Sequence, residues 1–261
     1  MRSPKALGRE KALPGSRRSP ARARSLRPFV LVNMAMTADG KIATANRAAA
    51  SFGSRRDQAH LLELRATADA VMAGARTVDL NAVTLGPGAA RYRRLRRHRG
   101  LSEYNLRIVV SRAGTLNPQA ELFQHRFSPI VILTTRQAGV ERLNALRQVA
   151  DEVKVCGEKE IHFARALRWL REKWKVQRLL CEGGGELNDA LFRAGLVDEL
   201  HLTVCPRIFG GRQAPTIADG TGAGSLAKAA RLQLQSAKRH GEEMFFVYSV
   251  ASTATEGAAE A

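Results

Sequence analysis

Several features that identify common classes of protein are missing from this sequence. No apolar run approaches the roughly 20 residues that span a bilayer, so we predict no membrane segment. Cysteine is scarce, and the three residues Cys156, Cys181 and Cys205 lie in or beside apolar runs without C-x-x-C spacing. This pattern predicts buried, reduced thiols in a cytoplasmic protein.

Motifs for several kinds of catalysis are also absent. The sequence contains no P-loop, no Ser-His-Asp order, no motif of paired catalytic carboxylates and no metal-ligand spacing. Their absence disfavours hydrolases, kinases and metalloenzymes, and we predict no metal site.

Acidic residues are nearly missing from two stretches that carry most of the net charge of +18. Residues 1–27 contain nine Lys and Arg against Glu10 alone, and residues 91–99 contain six Arg and no acid. We interpret the first stretch as a disordered basic tail and the second as a solvated basic loop. A nucleic-acid-binding protein is the alternative, which the nearly balanced remainder does not favour. Residues 251–261 are predicted to form a second disordered tail.

Residues 28–250 are predicted to form one α/β domain. Amphipathic helical stretches alternate with apolar runs, which are FVLVNMAM (29–36), DAVMA (69–73), RIVVS (107–111), PIVILTT (129–135), EVKVC (152–156) and RLLCE (178–182). This alternation predicts a mainly parallel central sheet with flanking helices. The last two strands, RLQLQ (231–235) and MFFVYSV (244–250), have a short basic turn between them and are predicted to pair antiparallel at the sheet edge.

The stretch QRLLCEGGGELNDAL (177–191) predicts a strand, a tight turn and a helix start. Gly183, Gly184 and Gly185 allow the backbone to approach a ligand, and the following helix directs free N–H groups at the turn, which suits an anion. A sharp turn without a binding role is the alternative, because the stretch lacks the G-x-G-x-x-G fingerprint. Glu182 ends the strand at the position where open α/β sheets bind ligands, and a structural carboxylate that caps the next helix is the alternative.

Polar residues follow other predicted strands as well. These residues are Asn33, Asp39, Lys41, Thr77, Ser111 and Arg112. Together with two Gly turns, the arginine suggests a phosphorylated ligand at one edge of the sheet. Ser54 and Asp57 form a capping box that predicts a helix start.

Longer segments carry a resemblance to a known family. They read NMAMTADGKIA (33–43), LRATADAVMAGARTV (64–78), VVSRAG (109–114), VKVCG (153–157), CEGGGELNDALFRAGLVDELHLTVCPRIFGG (181–211) and APTIADG (214–220). In these segments the chain resembles the riboflavin-biosynthesis pyrimidine reductases, and the resemblance spans nearly all of residues 28–250. The chain is most similar to the stand-alone, archaeal-type members, since no zinc-deaminase motif precedes the segments.

The resemblance implies a dihydrofolate-reductase-like fold and an NADPH-dependent oxidoreductase. The reaction would convert the ribosylamino group of a pyrimidine 5′-phosphate to ribitylamino, and the ring would carry a 2-amino or a 2-oxo group. The resemblance also implies a homodimer, which would cover the strand edge expected near residues 244–250. A reductase of a dihydropterin-like substrate on the same fold is the alternative.

By position, the resemblance also assigns residues to roles. The catalytic candidates are Lys41 and Glu182. The cofactor-binding residues are Thr77, Asn81, Ser111, Arg112, Val155, Gly183, Gly184, Gly185 and Glu186, with Ser111 and Arg112 near the 2′-phosphate. The substrate-binding residues are Asn33, Asp39, Ser54, Arg65 and Leu85. The family usually has Asp at the position of Asn81, whose amide can still hydrogen-bond a ribose.

Overall fold

The computed structural model describes residues 26–47 and 52–251. Our predictions of disordered tails concern residues 1–27 and 251–261, most of which lie outside the described ranges. Arg27 is described, and its guanidinium donates to both carboxylate oxygens of Asp198, at 2.7 and 2.9 Å. The folded domain therefore includes the last residue that we assigned to the first tail.

Strands and helices alternate along the described residues, as the apolar periodicity predicts. The strands are β1 (Phe29–Thr37), β2 (Ala70–Gly74), β3 (Leu106–Val110), β4 (Ile130–Thr134), β5 (Glu152–Val155), β6 (Arg178–Cys181), β7 (Glu199–Cys205), β8 (Leu232–His240) and β9 (Glu243–Val250). The α-helices are α1 (Arg55–Arg65), α2 (Ala75–Leu80), α3 (Ala90–His98), α4 (Glu121–Gln124), α5 (Gly139–Val149), α6 (Phe163–Lys173) and α7 (Gly185–Arg193).

All nine strands form one sheet in the order β5-β4-β3-β2-β6-β1-β7-β9-β8. Strands β1 to β7 are parallel to their neighbours, whereas β9 pairs antiparallel with β7 and β8 antiparallel with β9. The predicted α/β class, with a mainly parallel sheet and an antiparallel edge, is confirmed. Since β1 to β7 are parallel, their carboxyl ends lie along one edge of the sheet.

Helices cover both faces of the parallel strands, which explains why these strands are almost continuously apolar. On one face, Val30 and Val32 of β1 join Leu167 and Leu170 of α6 in a core whose members are at most 9% exposed. On the other face, the alternate strand residues, among them Leu31 and Leu180, form a second core with α1, α2 and α5.

The arginine-rich stretch at residues 91–99 differs from our prediction. A solvated loop is wrong here, because Ala90–His98 forms the helix α3. Tyr92, Leu95 and Arg96 recur at helical spacing, and Tyr92 and Arg96 are buried while Arg91, Arg94 and others remain exposed. The stretch therefore packs Arg96 into the domain, leaves Arg93 partly exposed and presents its other four arginines to solvent.

The predicted hairpin of the last two strands is present, but its turn is shorter than expected. The basic residues that we assigned to the turn belong to β8, and the turn itself consists of Gly241 and Glu242. Gly241 has φ +61°, a conformation that glycine adopts without strain. Strand β8 is exposed along nearly its whole length. None of the helices in the described ranges has both the length and the apolar character that a membrane span requires.

Candidate active site

The strand, glycine turn and helix predicted at residues 177–191 lie at the carboxyl edge of the sheet. Strand β6 ends at Cys181, Gly183 has φ +78°, and α7 begins at Gly185 with Gly184 as its N-cap. The peptide bond between Gly183 and Gly184 is cis. A Cβ added to Gly184 would meet only the Thr77 hydroxyl oxygen, at 3.5 Å. This side of the turn is therefore open, and the first N–H groups of α7 have no partner within the helix.

A second helix N-terminus meets this turn. The N–H of Gly74, which ends β2 and precedes α2, donates to the Gly183 carbonyl at 2.8 Å. The Thr77 hydroxyl accepts the Gly184 N–H at 3.2 Å. Arg76 and Glu186 form an ion pair at 3.1 Å, with both side chains more than half exposed. The N-termini of two helices carry partial positive charge and together suit an anionic ligand.

Glu182, directly before the glycines, is paired with Arg65 at the end of α1. Arg65 Nε donates to one carboxylate oxygen at 2.6 Å and Nη2 to the other at 2.7 Å. Its Nη1 donates to the carbonyl of Gly86 at 2.7 Å. The two side chains are only 9% and 10% exposed, so solvent screens this bidentate pair little. The structure thus brings together one predicted catalytic residue and one predicted substrate-binding residue.

Asn33 lies level with Glu182 in the neighbouring strand. The pairing of β1 with β6 ends at Val32 and Cys181, and Leu31 and Leu180 of that register share one core. Because strand side chains alternate, Asn33 and Glu182 follow on the same face. Asn33 is 8% exposed, and its Oδ1 has no hydrogen-bond partner among the described residues. A buried acceptor of this kind calls for a donor that the fold itself does not provide.

Lys41 and Asp39 follow β1 in a loop that contacts the segment after β7. The Asp39 carboxylate accepts the Thr37 hydroxyl and the N–H groups of Phe209 and Gly210. The hydrogen bond from Thr37 has the largest effect on Asp39 and lowers its pKa, helped by the N–H groups of Gly210 and Phe209 and opposed by desolvation of the carboxylate. Lys41 Nζ donates to the Ala214 carbonyl at 3.1 Å. Asp39 therefore fixes the loop, and Lys41 retains two further N–H donors.

Three other predicted residues have side chains that contact other parts of the domain. The Ser54 hydroxyl caps α1, as the capping box predicts, and donates to the Glu243 carboxylate. Leu85 is fully buried with φ +55°. Asn81 Nδ2 donates to the Thr77 carbonyl at 2.8 Å and so closes α2. These contacts hold the three residues within the domain, and their roles toward substrate and cofactor stay predictions.

The remaining cofactor candidates lie where β3, β4 and β5 end. Ser111 is 3% exposed and donates to the Thr115 carbonyl, while the Arg112 carbonyl accepts the Thr135 hydroxyl. The Arg112 guanidinium pairs with Glu160 at 3.0 Å, with both side chains more than half exposed. Val155 lines a cavity of about 540 Å³ together with Arg136, Lys154, Cys156, Gly157, Glu158, His162, Arg165, Ala166 and Trp169. A predominantly basic arc thus continues from Thr77 along this edge.

Sequence reasoning missed a partly buried polar cluster between α1 and the β7–β9 part of the sheet. His60 Nε2 lies 3.2 Å from His201 Nδ1, and His201 Nε2 lies 2.8 Å from Glu199. Burial, with His201 nearby, lowers the pKa of His60 to about 4, and burial raises the pKa of Asp57. The only signal in the sequence was two lone histidines, which gave no reason to pair them.

The low pKa of His60 makes the free energy of unfolding depend on pH. We expect this free energy to fall as the pH drops from about 6.5 to about 4, because the unfolded chain protonates His60 first. The contribution is at most about 3 kcal/mol, and the raised pKa of Asp57 offsets part of it. Urea unfolding gives the free energy of unfolding at neutral pH and at about pH 5. The difference between these two values should be smaller for His60→Gln than for the unmodified protein. An equal difference in both proteins would contradict the assignment.

No group of three or more His, Cys, Asp or Glu in the described part of the chain is arranged to hold a metal ion.

The sequence profile of the RibD C-terminal domain family matches residues 28–246. The chain is 35% identical over 232 residues to the 2,5-diamino-6-ribosylamino-4(3H)-pyrimidinone 5′-phosphate reductase of Methanothermobacter thermautotrophicus, a match that covers 86% of this chain and 99% of that protein. The protein of that name from Archaeoglobus fulgidus is 33% identical over 208 residues, covering 80% of this chain and 92% of that protein.

Solved structures show the same fold. A pyrimidine reductase-like protein from Corynebacterium diphtheriae superposes with a TM-score of 0.71 at 23% identity, covering 86% of this chain and 92% of that chain. RibD of Acinetobacter baumannii gives a TM-score of 0.67 at 18% identity and covers 87% of this chain. This chain spans 59% of the length of that RibD chain.

Proposed function

Because this chain belongs to the RibD C-terminal domain family, we propose that it reduces the ribosylamino group of a pyrimidine 5′-phosphate to ribitylamino in riboflavin biosynthesis. Relatives that match over 92% to 99% of their length carry the name of such a reductase. The observation that carries the proposal is the open glycine turn beside the buried Arg65–Glu182 pair, at the carboxyl edge of the sheet. The buried, unpaired cysteines fit the cytoplasmic location that we also propose.

The residues at this edge fit NADPH as the cofactor. Gly184 leaves the space beside Thr77 free of a Cβ, and the N-termini of α2 and α7 favour a pyrophosphate there. We assign the rest of the dinucleotide to the arc of Ser111, Arg112 and Val155. NADPH would supply the hydride that reduces the substrate, and the protein would supply binding and orientation.

The substrate then belongs beside Glu182, Lys41 and Asn33. The Glu182 carboxylate, fixed at both oxygens by Arg65, accepts a substrate N–H or O–H and orients the ring-opened sugar. The Lys41 ammonium, in the loop after β1, donates a proton to the nitrogen or oxygen where charge changes during reduction. Asn33 provides a further buried amide for the pyrimidine.

A turnover assay tests this function. Purified protein receives NADPH with either the 2-amino or the 2-oxo form of the ribosylamino-pyrimidine 5′-phosphate, and absorbance reports NADPH oxidation. We expect kcat/KM to be at least about tenfold higher for the 2-amino form, because the relatives named above act on a diaminopyrimidinone. A dihydropterin serves as the control substrate. Turnover of the dihydropterin alone would overturn the proposal.

Arg112 gives a test of the cofactor preference. Its pair with Glu160 is exposed and therefore weak, so the guanidinium is available to bind a 2′-phosphate. We expect Arg112→Ala to weaken NADPH binding about tenfold or more and NADH binding by less than about twofold. Fluorescence titration measures both affinities, and Arg147→Ala, an exposed arginine of α5, is the matched control. Equal losses for both dinucleotides would show that Arg112 does not contact the phosphate.

We also propose that the protein is a homodimer. The exposed edge that we expected near residues 244–250 is wrong, because β9 pairs with β7 on one side and with β8 on the other. Among the described residues β8 is the edge strand at this end of the sheet, with no partner on its other side, and its Leu232 and Leu234 are 42% and 57% exposed. A second copy would cover this edge. Light scattering should return twice the mass of one chain. The variant Leu234→Lys should instead have the mass of one chain. A single-chain mass for the unmodified protein at micromolar concentration would contradict the proposal.

A further inference from the structure

The helix α3 contains an arginine that does not face solvent. Arg96 is 1% exposed, whereas Arg94 on the same helix is exposed. Burial lowers the pKa of the Arg96 guanidinium to about 10, which leaves it protonated at neutral pH. A buried cation is costly unless its donors are paired, so the contacts of this side chain indicate why it is there.

Arg96 binds the carboxyl end of α1. Its Nη1 donates to the carbonyls of Arg65 and Ala68, at 2.7 and 2.5 Å, and its Nε to the carbonyl of Ser102 at 2.9 Å. The last four carbonyls of a helix have no partner within the helix and carry partial negative charge. Arg96 supplies both a donor and a positive charge at this point.

The residue held in this way is the one that orients Glu182. Arg65 is the last residue of α1, its backbone carbonyl is bound by Arg96, and its guanidinium holds both oxygens of Glu182. Without Arg96 the carbonyl of Arg65 would lose its charged donor and keep the longer hydrogen bond from the N–H of Ala68, at 3.4 Å, so the base of the Arg65 side chain would move. Displacements of about 1 Å near a reacting centre cost up to about a hundredfold in rate.

We propose that Arg96 is a positioning residue for the reaction, which acts through Arg65 on Glu182. This inference rests on the proposed function, since it assumes that Glu182 faces the substrate. The basic stretch at residues 91–99 then has a role within the domain, which its composition alone does not suggest.

A cavity next to Arg96 allows a chemical test. It measures about 280 Å³, and its lining includes Arg96, Asp69, Ser102 and Tyr104. In Arg96→Ala, we expect methylguanidinium from solution to enter this space and replace the missing group. Methylammonium is the matched control, because it carries the charge without the planar set of donors.

We expect Arg96→Ala to lower kcat about tenfold or more, with the Kd of NADPH changed by less than about twofold. Methylguanidinium at millimolar concentration should restore most of the lost kcat, and methylammonium should not. Arg94→Ala should behave like the unmodified protein. Unchanged kcat in folded Arg96→Ala, or a loss that methylguanidinium does not reverse, would overturn the inference.

Two further variants keep the outcomes separate. If Arg96→Ala does not fold, Arg96→Lys replaces it, and an unchanged kcat there overturns the inference. Glu182→Gln and Arg65→Lys test the proposed site itself. If both keep full turnover, the proposed site is wrong and the inference falls with it. If both lose turnover while Arg96 variants keep it, only the positioning role is wrong.

Discussion

Replacing Glu182 by Gln should lower kcat/KM for the pyrimidine by more than about a hundredfold, while NADPH affinity changes by less than about twofold. The substitution keeps the size of the side chain and one carbonyl oxygen. It removes the negative charge and the second acceptor oxygen that Arg65 now binds. A substrate donor that needs a charged, fixed acceptor then loses its partner in the transition state.

The same substitution leaves the Arg65 guanidinium buried without its counter-ion. Breaking a buried ion pair from one side typically costs about 3–5 kcal/mol of stability, so folding must be measured beside turnover. Circular dichroism and thermal unfolding identify the temperature range in which the variant is folded. Kinetics are compared only within that range. Glu172→Gln, an exposed glutamate of α6, is the control for loss of one negative charge.

Two outcomes would contradict this assignment. A folded Glu182→Gln protein with unchanged kcat/KM would mean that the Arg65–Glu182 pair is structural only. A variant that binds NADPH much more weakly but keeps its kcat at saturating NADPH would move Glu182 from the substrate to the dinucleotide.

The fold was largely predictable because its parallel strands are covered on both faces. Runs such as FVLVNMAM must be buried, and their alternation with amphipathic helices leaves few arrangements other than a parallel sheet. The glycine turn at residues 183–185 was equally readable, because consecutive glycines after an apolar strand have a direct conformational meaning. These signals are local in sequence.

The internal contacts of the site were not predictable in this way. Arg65 and Glu182 are 117 positions apart, and His60 and His201 are 141 positions apart. No local pattern states which distant charged groups meet. Composition also treats the arginines of residues 91–99 as equivalent, whereas helical periodicity directs Arg96 alone among them into the domain. We predicted a loop at this stretch because of its charge and overlooked the helical spacing of its residues.

The turn glycines allow a prediction that separates binding from folding. Gly184→Val should weaken NADPH binding about a hundredfold or more without a change in melting temperature. Gly184 has φ −51° and ψ 178°, which residues other than glycine also adopt, and its added Cβ would meet only the Thr77 hydroxyl at 3.5 Å. The added Cβ therefore fits the protein, and we expect the branched side chain to enter the space that we assign to the pyrophosphate.

Gly185→Ala is the matched control, one residue further along. Its Cβ would lie 2.7 Å from the Thr216 carbonyl oxygen and 3.0 Å from Asp219, so the backbone must shift. We expect a loss of about 1–3 kcal/mol in the free energy of unfolding. Fluorescence titration with NADPH and urea unfolding read the two effects separately. If Gly184→Val binds NADPH as the unmodified protein does, the open side of this turn does not face the dinucleotide. If Gly184→Val instead unfolds like Gly185→Ala, the turn is closed by the protein itself.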